Sequence, residues 1–320
     1  MNRKICVVGG GYWGKNHIKT LYEMGNLGGI VETDKGRLDE HLSKYSVQGF
    51  TELEDAIKQK FDGYIVATPA ITHYPIGKKL LENGLNVLME KPMTLSSEHA
   101  KELVEIANQS NAKLMVGHVL LFHPAIKKIK EIINGGKIGK ICYAYSNRLN
   151  FGKVRTEENV FWSFAPHDIS VLNYLMGASA LKIEAKGSKF LQYNIYDVTM
   201  AQLIYPENVH AHIFVSWLHP FKEQRLVVIG EKGMLSFEDS SKDKKIIYYN
   251  KHIDWIENQP VKVEEPDKVI TYDKKLPLTE ELKYFIENLD GNIEIASGQS
   301  GLEVVKVLET VQKLITNENR

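Results

Sequence analysis

No stretch of this 320-residue chain is long and apolar enough to span a bilayer. The basic start, Met1-Asn2-Arg3-Lys4, leads into an apolar run that stops at Gly9, too soon for the hydrophobic core of a secretion signal. Cysteine is scarce. Cys6 and Cys142 each sit in an apolar, strand-like run, Ile5-Cys6-Val7-Val8 and Ile141-Cys142-Tyr143, so both read as reduced core residues and a disulfide scaffold is excluded. An excess of one charge is also lacking: forty basic residues meet forty acidic ones, with no basic-aromatic stripe. Nucleic acid and anionic membrane surfaces are therefore not the expected partners. There is no internal repeat, P-loop, nucleophilic-serine elbow or EF-hand pattern. His210 and His212 share one strand face with His219 near, but no further ligand of matching placement accompanies them, so no metal is expected. A cytoplasmic globular protein acting on a small molecule is what these absences leave.

The residues present show a change of pattern along the chain. In the first third, short apolar runs (Lys4–Val8, Gly29–Glu32, Gly63–Ala67, Asn86–Met89, Lys113–Gly117) alternate with amphipathic segments such as Ile76–Glu82 and Ser97–Asn108. Ser96 or Ser97 is the N-cap of the latter. That alternation predicts a parallel sheet wound on both faces, an α/β Rossmann domain over residues 1–119. From residue 120 to 320 the pattern is α+β. A helix at Ala125–Ile133 leads to a strand at Ile141–Asn150 and a helix at Asp168–Met176. Alternating strands then follow at Leu181–Leu191, Val198–Tyr205, Val209–Trp217, Arg225–Ile229 and Met234–Glu238. Period two predicts a large open-faced, mostly antiparallel sheet. The polar stretch Ser240–Lys275 reads as edge strands and loops, and helices are expected at Glu280–Leu289 and Gly301–Ile315. The exposed face of so broad a sheet would need cover, which predicts a homo-oligomer, dimer or tetramer. The tryptophans Trp13, Trp162, Trp217 and Trp255 read as core or cleft walls.

The first strand runs into Gly9-Gly10-Gly11-Tyr12-Trp13-Gly14, which fits G-x-G-x-x-G and opens a helical segment, Tyr12–Met24. Gly9 permits the tight turn, Gly11 lets the backbone approach a pyrophosphate, and Gly14 lets helix and strand pack closely. Tyr12 and Trp13, between them, count among the cofactor contacts. The second strand ends about twenty residues on at Glu32, where a carboxylate accepts from ribose hydroxyls and repels a 2′-phosphate. NAD is thus the expected cofactor. Asp34 adds to that repulsion, and Lys35 and Arg37 counter it. Thr68 and Pro69 end another strand at the crevice of the sheet, and His73 either touches the cofactor or merely starts a helix.

Glu90-Lys91-Pro92 follows the apolar run Val87–Met89. With the glycine loop, Ala67-Thr68-Pro69, Phe122-His123-Pro124, the Gly135–Gly139 turn and the helix at His167, it resembles the Gfo/Idh/MocA oxidoreductases. The resemblance implies a Rossmann domain followed by an open-faced sheet domain. It also implies catalysis by Lys91 and His167, with Glu90 and Lys91 beside the cofactor. Oxidising an alcohol removes a hydride and a proton, so the protein must supply a base. Lys91 at a strand's carboxyl end and His167 at the start of a helix are the candidates. Asp168 is either that helix's N-terminal acid or a partner for a base. Where the family carries an aspartate four residues before the histidine, this chain has Ser163. The run Arg148–Gly152 through Arg155, Glu158–Val160 and Ala165–Asp168, with Ser216-Trp217-Leu218, Pro220, Lys222 and Arg225, resembles the nucleotide-sugar dehydrogenases of the family. That implies oxidation of a ring hydroxyl, at carbon 3, of a UDP-linked N-acetylamino sugar in surface-polysaccharide or amino-sugar synthesis. Arg148 and Arg155 either pair with the diphosphate or tie a loop down. His118, Asn150, Lys91 and His167 complete the expected substrate contacts, although His118 and His123 fit packing roles equally. The alternatives are a dehydrogenase of a free sugar or inositol, and a non-catalytic NAD-binding sensor or subunit.

Overall fold

Strand β1 (Ile5–Val8), buried at every position, is the axis of the first of two compact units. The computed structural model describes residues 3–317, so Met1 and Asn2 of the basic N-terminal stretch lie outside it. The first unit comprises residues 3–122 and 275–306. After β1 come α1 (Gly14–Glu23), β2 (Leu27–Val31), α2 (Lys35–Leu42), β3 (Gln48–Phe50), α3 (Leu53–Lys58), β4 (Gly63–Val66), α4 (His73–Glu82), β5 (Val87–Met89), α5 (Ser97–Ser110) and β6 (Leu114–Val116). The strands form one parallel sheet in the order β3-β2-β1-β4-β5-β6. Continuous apolar strands follow from that arrangement, because helices cover both faces. The strand order reverses between β1 and β4, so the crevice outside their carboxyl ends is the ligand position of such a sheet. Helix α1 turns Gly14, His17, Ile18 and Leu21 inward at helical spacing. Ser96 caps α5 by accepting from the Glu98 N–H at 3.2 Å.

The second unit comprises residues 123–274 and 307–317. The ring of His123 caps α6 (Pro124–Asn134) through the Ala125 N–H. There follow β7 (Ile141–Phe151), α7 (Val160–Met176), β8 (Lys182–Ser188), β9 (Val198–Ile204), β10 (His210–Ser216), β11 (Leu218–Gly230), β12 (Met234–Glu238), β13 (Ile246–Tyr249), β14 (Lys251–Ile256), β15 (Gln259–Glu264) and β16 (Lys268–Ile270). Eight of these strands form a sheet ordered β16-β13-β12-β11-β7-β10-β9-β8. Only β7 with β10 is parallel, and every other pair is antiparallel. Helix α7 packs on β7, β9 and β10.

Three expectations fail here. Helix α7 begins at Val160, not at Asp168. Asn159 caps it through the N–H groups of Phe161 and Trp162, and Pro166 lies inside it rather than ahead of it. A proline that reads as a helix start is tolerated in the interior because an apolar, buried helix is held by its packing. Cys142 is exposed, since β7 turns inward only from Ala144. Trp255 also lies in the open, 72% exposed on the two-stranded β14–β15 hairpin.

The chain then supplies two further helices, α8 (Pro277–Glu287) and α9 (Gly298–Asn317). No sequence pattern marks the return of α8 to the first unit, where Leu282 and Phe285 are fully buried. The Phe285 ring lies 3.0 Å from where a Cβ on Gly63 would stand. The Val116 N–H donates to the Ala296 carbonyl at 2.7 Å, which closes the sheet edge. Among the described residues no helix is long and apolar enough to cross a membrane.

In the second unit the buried Asp197 carboxylate accepts from the Trp217 indole at 2.6 Å and from the N–H groups of Phe190 and Leu191. Asp197→Ala strands three donors, and urea unfolding should show a loss of about 3 kcal/mol. A change under roughly 0.5 kcal/mol would contradict that role.

Candidate cofactor and active site

The glycine loop does in space what its spacing requires. Gly9 has φ +97°, and a Cβ there would stand 2.8 Å from the Ala67 carbonyl oxygen. A Cβ on Gly14 would fall 1.8 Å from the Gly9 carbonyl oxygen, so helix and turn touch. At Gly11 nothing lies within 4 Å of that position. The loop is thus closed where the fold needs contact and open where a phosphate backbone would approach. No side chain caps α1, and its first turn carries no acid, which leaves its N-terminal end to an anion.

Glu32 directly follows β2, only 6% exposed. Its Oε2 accepts from the Gly10 N–H at 2.9 Å and from the Arg37 guanidinium at 3.1 Å, and its Oε1 accepts from the Asp34 N–H at 3.0 Å. Burial opposes charge here, but the two N–H groups and Arg37 outweigh it and hold the carboxyl below its ordinary range. A fixed carboxylate at this point suits ribose hydroxyls. Asp34 turns out to cap α2 through the Arg37 N–H, and Arg37 counters Glu32 by direct pairing. The loop and Glu32 together fit an NAD cofactor.

At the end of β4, Thr68 accepts from the Thr72 hydroxyl. Pro69 follows, exposed. His73 is buried, its Nδ1 2.8 Å from the Pro92 carbonyl and its Nε2 2.9 Å from the Thr68 carbonyl. Burial lowers its pKa. Both ring nitrogens are spent on backbone, so His73 ties the β4 and β5 ends together. At the end of β5, Glu90 Oε1 accepts from the Trp13 indole and lies 2.8 Å from His17 Nε2, while Oε2 accepts from the Lys91 N–H at 3.1 Å. A Cβ on Gly117 would stand 2.9 Å from that carboxylate. Burial opposes charge on Glu90, yet the bond and charge of His17, with Lys91, keep its pKa low. Lys91, half-buried, begins the turn, and its bond to Pro92 is cis. His118 is buried, and burial pushes its ring down to about 4, a neutral imidazole.

In the second unit Asp168 is neither a first-turn acid nor in reach of solvent. It accepts from Arg148 Nε at 2.8 Å and Nη2 at 3.0 Å, and from the Ser146 hydroxyl at 2.7 Å. This correction follows from the earlier start of α7, which puts Asp168 mid-helix against β7. Burial works against the Arg148 charge, and Asp168 more than restores it. His167, half-buried, precedes Asp168 on α7, and Ser163 is buried one turn earlier. Asn150 is half-buried, its Oδ1 enclosed without a donor. Arg155 is exposed, 3.9 Å from Glu158. Among the described residues no group of three possible metal ligands occurs. His17 and Gly117 went unread in the sequence. His17 had a signal, a polar residue on the apolar stripe of α1, whereas Gly117 had none. Asp168→Ala would leave the Arg148 guanidinium buried and unpaired, and chemical unfolding should register roughly 3–5 kcal/mol.

Comparison with known proteins agrees with this geometry. Residues 3–118 match the family model described as an oxidoreductase family with NAD-binding Rossmann fold, and residues 126–236 match the GFO/IDH/MocA C-terminal domain. A UDP-N-acetylglucosamine 3-dehydrogenase from Acidithiobacillus ferrooxidans is 27% identical over 188 residues, and an inositol 2-dehydrogenase from Corynebacterium glutamicum is 27% identical over 194. Each alignment spans 58% of both proteins, so the chain matches less than two thirds of these relatives' length. The solved structure of the Acidithiobacillus enzyme superposes with a TM-score of 0.87 at 20% identity, over 98% of each chain. With both domain models matched in order along one chain, this protein belongs to the GFO/IDH/MocA oxidoreductase family and carries its NAD-binding Rossmann domain.

Proposed function

We propose that the chain is an NAD-dependent dehydrogenase that oxidises a ring hydroxyl, at carbon 3, of a UDP-linked N-acetylamino sugar. The observation that carries the dehydrogenase reading is one unit holding both the loop open at Gly11 and Lys91 beside the buried carboxylate of Glu90. NAD, when bound, supplies the hydride acceptor. Gly9, Gly11, Tyr12, Trp13, Gly14, Glu32, Thr68 and Pro69 are the residues we assign to holding it. Lys91 or His167 takes the hydroxyl proton, and the Lys91 ammonium steadies the developing alkoxide. Ser163 in the family's aspartate position removes a carboxylate one turn from His167, which gives Lys91 the larger share of that work.

The choice of sugar rests on the relative named for UDP-N-acetylglucosamine and on Arg155, whose exposed guanidinium suits a diphosphate. Arg148 shapes the site instead, since Asp168 holds its fork. A second reading, a free polyol as substrate, is favoured by the equal identity to an inositol 2-dehydrogenase.

Purified protein given UDP-N-acetylglucosamine and NAD should produce NADH absorbance. Turnover on inositol or a free sugar, with none on the nucleotide sugar, replaces the first reading by the second. Arg155→Ala should raise KM for the nucleotide sugar about tenfold or more with a smaller effect on kcat. Lys91→Ala and His167→Ala should each lower kcat by roughly 10²–10⁴. Unchanged turnover in both variants would overturn the assignment.

A further inference from the structure

Glu281 stands apart from the chemistry described so far. It is fully buried on α8, and neither of its carboxyl oxygens meets a hydrogen-bond donor. Helix α8 packs against α1 and against the short turn 119–122. That turn carries no titratable group. On α1 the titratable residues are Lys15, His17, Lys19, Tyr22 and Glu23, of which His17 alone is buried. The charge that acts on Glu281 is the carboxylate of Glu90. Glu90 in turn engages His17 and the Lys91 N–H, and it feels His118 in the same interior.

The charges in this interior can be counted. Glu90 is ionised, with three groups donating to or facing it. His118 is neutral and offers no compensation. A second carboxylate here would be buried, unbonded and next to a like charge, three conditions that each favour the protonated acid. Burial, then Glu90, push the Glu281 carboxyl well above its ordinary range. A leucine or methionine would fill this position on α8 without that cost. A buried, unbonded carboxyl in the field of Glu90, where an apolar side chain would fit, therefore points to electrostatics rather than packing.

We propose that Glu281 is a positioning residue for the Lys91 amine, acting through Glu90. Protonated, it leaves Glu90 as the one carboxylate of this interior. Ionised, it adds a second negative charge that holds Lys91 as the ammonium and blocks it as a base. The bearing on turnover rests on the role given to Lys91 above, but the test does not use turnover.

Infrared spectra of the full-length protein at neutral pH, with those of Glu281→Gln subtracted, should contain a protonated-carboxyl band. The Glu90→Gln exchange should move the alkaline loss of that band to lower pH by about one unit or more, because a like charge has gone. Labelling of the Lys91 amine with an acetylating reagent, followed by peptide mass spectrometry, reads the other partner. Glu281→Gln should match wild type at neutral pH and react at lower pH on the alkaline limb. The thermal midpoint adds a third reading. An acid with a raised folded-state pKa costs nothing below the ordinary carboxylate value of 4.5, and the cost grows as pH rises toward the folded value. The Tm of Glu281→Gln should therefore gain on wild type as pH rises from 4.5 toward that folded value. No band, a Tm deficit that widens with pH, or identical labelling curves throughout would each overturn the proposal.

Discussion

A single buried carboxylate, Glu90, organises the first unit. It sits at the carboxyl end of β5, and the partners that keep it charged come from other elements. Trp13 and His17 reach it from the start of α1, the Lys91 N–H from the next residue, and Gly117 leaves room for it beyond β6. A buried charge is tolerated only when such partners are in place, so each is constrained by the others. The orientation of α1, and with it the end of the helix that faces the glycine loop, is set by this anchor as well as by apolar packing. The turn that presents Lys91 is fixed by the same bonds and by His73, which joins the Pro92 and Thr68 carbonyls.

The second unit follows another rule. Its sheet buries one face under α7, and its polar anchors, Asp168 with Arg148 and Asp197 with Trp217, are placed where loops or helices must register against strands. Such pairs add specificity of arrangement more than net stability, since each ion was first taken out of water. The Arg148 pairing also limits function, because a fork committed to a buried carboxylate has little left to give a ligand.

Much of the fold was legible because the two periodicities are unambiguous. Continuous apolar runs at Ile5–Val8 and Gly63–Val66 belong to parallel strands, and the alternation in Val198–Ile204 and His210–Ser216 belongs to the open sheet. The glycine loop was legible because each glycine answers a local steric demand. The start of α7 was not, since Pro166 mimics a helix beginning and the true cap, Asn159, lies in a polar stretch that reads as loop. The first of the two readings of Asp168, as a first-turn acid, falls for the same reason. His17 and Glu281 acquire meaning only through Glu90, many residues away in sequence, and no local pattern encodes a partner at that distance.

The return of residues 275–306 to the first unit has a consequence for synthesis. A nascent chain that has delivered β1 through β6 still lacks Leu282 and Phe285 for its core, and Ala296 for the exposed edge at Val116. The nucleotide-binding unit is thus finished only after the whole second sheet has emerged. Folding that usually proceeds from the first domain outward is here looped back on itself. The core of the first unit is complete only once residues 275–306 have been made.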